Sequence, residues 1–171
     1  MNSQLYIRLA LRFSLYVLLQ VLVLNHVELH GLMNPYIYPL FIILLPLGVP
    51  RWGGLVMAFI MGYLVGYFTN ASGLHAAALL AITFIRPTLL RLFFPGLNEE
   101  EFGELNLTRT GTFNFVIYVV SMVLIHHFIL FMLQVWSLQL FAWALMKILF
   151  STIISSILIL LAEYLMRNKK A

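Results

Sequence analysis

The chain is 171 residues long, 63% hydrophobic and only 9% charged, with no cysteine and no aspartate. A soluble domain carries roughly a quarter charged residues, so this composition cannot present a wettable surface, and the missing thiols exclude disulfide frameworks and thiolate metal sites. The net charge of +4 comes from ten Lys and Arg scattered singly at the ends of apolar runs, a pattern of membrane orientation rather than of nucleic-acid binding.

Crossing a bilayer takes about 20 apolar residues, and only helices or closed barrels satisfy their backbone there. The apolar runs are continuous rather than alternating, which predicts helices. The expected architecture is all-α, a single transmembrane domain over 1–171 with about six helices in one compact bundle, the spans falling near 9–25, 36–50, 54–69, 74–94, 113–133 and 137–165.

The first run follows Arg8 and Arg12 and has the outline of a leader, but no small-x-small cleavage site follows it, so a retained span is expected. The second contains Pro39 and Pro46, the latter suggesting a kink, and a Pro50-Arg51-Trp52-Gly53-Gly54 turn leads to the third. Asn70-Ala71-Ser72-Gly73 separates the third from the fourth, which Pro95-Gly96 closes. The extended polar segment, 96–112, holds Glu99, Glu100, Glu101 and Glu104; it reads as a solvated loop or as an acidic docking point for a cytoplasmic partner.

With the N-terminus in the cytoplasm and six passes, Arg8, Arg12, Arg51, Arg86, Arg91, Arg109, Arg167, Lys169 and Lys170 all fall at or near cytoplasmic ends, and the outer loops hold no Lys or Arg. This asymmetry predicts both termini inside.

Several polar or small residues inside the runs are candidates for function. Ala58, Gly62, Gly66 and Asn70 recur every four residues, a small-residue seam suited to internal packing or to a partner helix. His75, Leu79, Ile82 and Arg86 share one face of the fourth helix, and Arg86 is expected to snorkel, meet lipid phosphate or contact a partner protein.

Lys147 lies about halfway through the sixth span, where an ammonium costs on the order of 3 kcal/mol unless it finds an acceptor or water. Trp143, Lys147, Ser151 and Ser155 form a stripe at spacing four, readable as a buried lysine against hydroxyls and carbonyls or as a ligand or partner contact. Asn114, Tyr118 and Ser121 make a similar stripe on the fifth span, more often interhelical glue than a site.

His126 and His127 are adjacent, hence about 100° apart on a helix, with no ligand residue three or four positions away, so neither metal nor cofactor is expected. Paired carboxylates, a cysteine nucleophile, a phosphate-cradling glycine loop and an HExxH pair are all missing, which argues against an enzyme.

The stretch from Gly62 through Gly66, Asn70 and Gly73 to His75-Ala76-Ala77, followed by Phe84-Ile85-Arg86-Pro87, resembles the signature of the rod shape-determining MreD family, particularly its Bacteroidetes-type members. In that family a glycine-rich helix ends in an acidic residue, and a Gly-x-His-Ala opening leads to an Arg-Pro near the next helix end. Leu19-Gln20-Val21-Leu22 resembles the family's N-terminal Leu-Gln element. Asn70 stands where the family has aspartate.

The resemblance implies a non-enzymatic scaffold in the bacterial inner membrane. Its direct partner would be MreC, with MreB, RodA and a class B penicillin-binding protein reached through the complex that builds lateral peptidoglycan. The family is similar in fold to the substrate-binding subunits of energy-coupling-factor vitamin transporters, so a small-molecule binding subunit of a transporter is the alternative.

Overall fold

The computed structural model describes residues 3–27, 31, 33–96, 103, 105, 110–135 and 138–168. The acidic run apart from Gly103, together with Glu28, Arg109 and the last residues of the basic tail, lies outside them. Among the described residues the fold is entirely helical: α1 (Ser3–Leu22), α2 (Pro39–Ile43), α3 (Arg51–Tyr67), α4 (Ser72–Phe93), α5 (Thr112–Gln134) and α6 (Phe141–Asn168).

Four helical segments are long and apolar enough to cross a membrane, Ser3–His26, Gly73–Phe93, Thr112–Gln134 and Phe141–Met166. With 17 residues α3 rises about 25 Å, less than a hydrocarbon core of about 30 Å. The first helix begins at Ser3, well before residue 9, because Arg8 and Arg12 limit immersion in lipid without interrupting backbone hydrogen bonds.

The second apolar run departs from expectation. Instead of a helix over 36–50, only Pro39–Ile43 is helical, within an irregular strap spanning residues 34–50. Pro39 sits at the start of the helix, where a missing N–H costs nothing. Pro46 stops it, since its ring clashes with the carbonyl of Ile42 and disfavours helical geometry at Leu45. Residues 35–46 are nevertheless all buried.

Around this strap the long helices form a ring. Neighbouring pairs are α1 with α3, α3 with α4, α4 with α5 and α5 with α6, while α2 touches α1, α4 and α5. Side chains close the ring between α6 and α1: the Tyr16 hydroxyl lies 3.5 Å from the Met166 sulfur. Gln20 of α1 and Ser155 of α6 bind adjacent peptides of the strap. As Tyr16 precedes Gln20 whereas Met166 follows Ser155, α1 and α6 run antiparallel.

The ring is apolar outside, and inside it a set of polar side chains is embedded in an apolar core. Gln20, His75, Arg86, His126, His127, Lys147, Ser151, Ser155 and Glu163 are buried, while Leu11, Leu15, Phe84, Phe128, Ile153 and Ile157 face outward. Lipid tails compete for apolar side chains as well as the core does, so the bundle gains from close packing and from internal hydrogen bonds instead.

Candidate functional site

A backbone that leaves helical geometry in the middle of a bundle must find partners for its N–H and C=O groups elsewhere, because no water is there to serve. The helices supply them as side chains. Gln20 of α1 accepts from the Ile37 N–H at 2.8 Å, and its amide donates to the Pro35 carbonyl at 3.2 Å and to Asn25 Oδ1 at 2.9 Å. From α6, Ser151 Oγ accepts from the Asn34 N–H at 3.0 Å and Ser155 Oγ from the Tyr36 N–H at 2.9 Å. At the other end of the strap the Arg86 guanidinium donates to the Leu45 carbonyl, and the Tyr118 hydroxyl to that of Ile43 at 3.4 Å.

The strap returns two aromatic side chains into the same interior. The Tyr38 hydroxyl lies 2.8 Å from His75 Nδ1 on α4 and 2.6 Å from His126 Nε2 on α5. Tyr36 stacks on His127 with centroids 5.4 Å apart, and His127 stacks on Phe131 at 5.6 Å. Over that column stands Lys147, its Nζ 5.3 Å from the Phe131 centroid and 4.8 Å from that of Trp143. Lys147 is buried while Trp143 is 45% exposed, so the indole covers the ammonium from the outer face of α6.

The residues expected to matter divide accordingly. Of the small-residue seam, Ala58, Gly62 and Gly66 are buried inside the protein. A Cβ on Gly62 would stand 2.6 Å from the Ala76 Cα and 2.7 Å from the His75 carbonyl oxygen, so the seam packs α3 on α4 and is not open to a partner helix. Asn70 is exposed in the turn after α3 at φ 55°, a left-handed geometry that asparagine tolerates. Gly73 is exposed with open space around it.

His75, Leu79, Ile82 and Arg86 are buried together, as their spacing predicts. Arg86 nevertheless does not extend outward: at 7% exposure it turns inward, where the Leu45 carbonyl, beyond the end of the short α2 helix, accepts from it. Lys147, Ser151 and Ser155 share a buried face, whereas Trp143 at the head of that stripe is exposed. On α5 Tyr118 is buried, Ser121 half-buried and Asn114 exposed, so that stripe does not form one internal site.

Sequence spacing missed the centre of the arrangement. Neither His126 nor His127 has a polar side chain three or four positions away on its own helix, yet α5 points both at the strap, where His75 arrives from α4. The available signal was Pro35-Tyr36-Ile37-Tyr38-Pro39, two tyrosines on one side of a proline-bracketed segment that cannot be helical throughout. Chemically the cluster is a polar tie rather than a coordination sphere. Among the described residues no group of three or more His, Asp or Glu is placed to hold a metal ion.

Four long apolar helices, apolar faces turned outward and irregular backbone tied by side chains of the surrounding helices define a helical, membrane-embedded protein. Comparison with protein-family models, curated proteins and solved structures finds no match for the chain.

Proposed function

We propose that the protein is a non-enzymatic membrane scaffold of the bacterial elongation machinery, acting as MreD proteins do by binding MreC and helping to organise lateral peptidoglycan synthesis. One observation carries the reading: the residues on which the resemblance rests form a single structural unit. Gly62 seats α4, His75 holds Tyr38, Arg86 holds the Leu45 carbonyl, and Gln20 holds the start of the strap. Their polar groups are spent on shaping the bundle, which suits a protein that works through its outer surface. In this reading the strap and α3 make the two further crossings, for six passes in the inner membrane with both termini in the cytoplasm, in the manner of energy-coupling-factor binding subunits.

Photo-crosslinkers placed at outward positions on α1, α4 and α6, such as Leu11, Phe84 and Ile157, test the idea in native membranes. Capture of MreC from at least one face is expected. Absence of MreC from all of them, together with normal cell shape after depletion of the protein, would refute it.

A second reading, a small-molecule binding subunit of a transporter, draws on the strap itself, since transporters bind their substrates beside interrupted helices near mid-membrane. Ser151 and Ser155, which would line such a site next to Lys147, accept instead from strap N–H groups. A metabolite that copurifies and raises the melting temperature would favour this reading over the first.

A further inference from the structure

The Tyr38 hydroxyl has one hydrogen and two imidazole nitrogens within bonding distance. It therefore donates to one ring and accepts an N–H from the other. The far side of His126 decides the direction, because its Nδ1 is buried and has no hydrogen-bond partner. If Tyr38 donated to His126 Nε2, the hydrogen of that neutral ring would stand on Nδ1 as a buried N–H without an acceptor. A bare lone pair there is the cheaper omission. His126 thus carries its hydrogen on Nε2 and donates to Tyr38, and Tyr38 donates to His75 Nδ1. His127 stands apart from this chain: its Nδ1 donates to the Val123 carbonyl at 2.9 Å, leaving Nε2 bare and buried.

We propose that this directed chain, His126 Nε2–H to the Tyr38 hydroxyl to His75 Nδ1, is a latch on the strap that opens when a proton arrives at His75. A proton added to His75 Nδ1 makes both nitrogens of that ring donors. The Tyr38 oxygen then faces two N–H groups, and its own hydrogen loses its acceptor. A proton added instead to the bare Nδ1 of His126 leaves the Nε2–H in place and the tie to Tyr38 intact. The responsive member is His75, which stands in the first turn of α4 near exposed Gly73, at the end of the bundle.

Among the described residues, the titratable and charged groups facing the latch are Tyr36 of the strap, His127 of α5 and, beyond the Phe131 ring, Lys147 of α6. From α1 comes the neutral amide of Gln20, and from α3 the backbone of Gly62 against the His75 carbonyl. Opening the latch frees the Tyr38 part of the strap from α4, while Arg86 still holds the Leu45 carbonyl and Gln20, Ser151 and Ser155 hold the strap's other side. The device is independent of which partner the protein serves.

Amide side chains distinguish the two ring nitrogens, since an asparagine oxygen falls where Nδ1 stands and a glutamine nitrogen where Nε2 stands. Full-length protein in detergent is unfolded thermally from about pH 8 to about pH 4.5, and the histidine tautomers are read at the upper pH by nitrogen-15 NMR. The wild type is expected to melt lower in acid and to show His75 and His126 both protonated on Nε2. His75→Asn keeps an acceptor that takes no proton, so it retains the melting temperature of the upper pH and loses a measurable share of the acid-induced fall, the remainder belonging to the buried rings of His126 and His127. His126→Gln keeps the donor and retains the melting temperature of the upper pH. Tyr38→Phe melts roughly 4 °C lower or more at the upper pH. A hydrogen on His126 Nδ1, or an acid-induced fall of full size in His75→Asn, would overturn the proposal. The tautomer measurement needs only the wild type, so a variant that fails to fold leaves it decisive.

Discussion

Gly62 of α3 approaches Ala76 of α4 so closely that a methyl group on Gly62 would stand 2.6 Å from the Ala76 Cα. The atoms it meets are backbone, which cannot rotate away, so the helices must separate to admit it. Gly62→Ala is expected to cost about 1–3 kcal/mol, at the upper end of the overpacking range because the clash is with a main chain. Gly73→Ala meets open space in the first turn of α4 and is expected to be neutral or to stabilise by up to about 1 kcal/mol. Unfolding in mixed detergent micelles compares the two. Equal losses would mean that the close approach is not what fixes Gly62.

The serines of α6 make a sharper comparison, since neighbouring residues of one type have opposite roles. Ser155 accepts from the Tyr36 N–H and Ser151 from the Asn34 N–H, donors that the strap cannot satisfy internally. Removing either hydroxyl strands a main-chain N–H, so Ser155→Ala and Ser151→Ala are expected to lose about 1–3 kcal/mol each, the fully buried Tyr36 pairing more than the part-buried Asn34 one. Ser156 is also buried, but its hydroxyl has no hydrogen-bond partner. Ser156→Ala should therefore be neutral or mildly stabilising, and a loss matching that of Ser155→Ala would count against this account of the strap.

These pairs show where the sequence was readable and where it was not. The long apolar runs place α4, α5 and α6 within a few residues, and the shared face of His75 and Arg86 is visible because a helix fixes which positions align. A strap has no period, and Pro39 and Pro46 announce only that regular structure stops. Where its N–H groups go depends on Gln20, Ser151 and Ser155, residues more than ten positions away on other helices. His126 and His127 were opaque for the same reason, having no polar side chain three or four positions away and meeting Tyr38 and Tyr36 only because the strap brings them in.

Arg86 opposes two effects whose balance can be measured. Its guanidinium donates to the buried Leu45 carbonyl beside Tyr118, yet it carries a charge into the bundle. Arg86→Met removes both bond and charge, leaving an unsatisfied carbonyl partly offset by the avoided desolvation, and is expected to lose about 1 kcal/mol. Arg86→Lys keeps the charge but gives up the planar fork and some reach, and is expected to lose about 2–3 kcal/mol. Thermal unfolding in detergent gives the order. If lysine is tolerated better than methionine, the side chain is reaching lipid headgroups after all.

Gln20 is the most heavily committed polar side chain of the strap's surroundings, because one amide serves as acceptor for Ile37 and as donor for both Pro35 and Asn25. Gln20→Leu fills the space but strands the Ile37 N–H and the Pro35 carbonyl at once, and two buried orphans at about 1–3 kcal/mol each make this the most damaging neutral substitution considered. Gln20→Glu separates the two functions. As a carboxylate it still accepts from Ile37, but it can no longer donate, and it turns negative charge toward the Pro35 carbonyl and Asn25 Oδ1. The loss should then equal or exceed that of leucine at neutral pH and shrink in acid, where the protonated acid regains one donor. Following the unfolding of both variants from neutral to acidic pH tests the assignment: a glutamate variant as stable as wild type at neutral pH would show that donation to the strap contributes nothing, and that the Ile37 contact alone accounts for the residue.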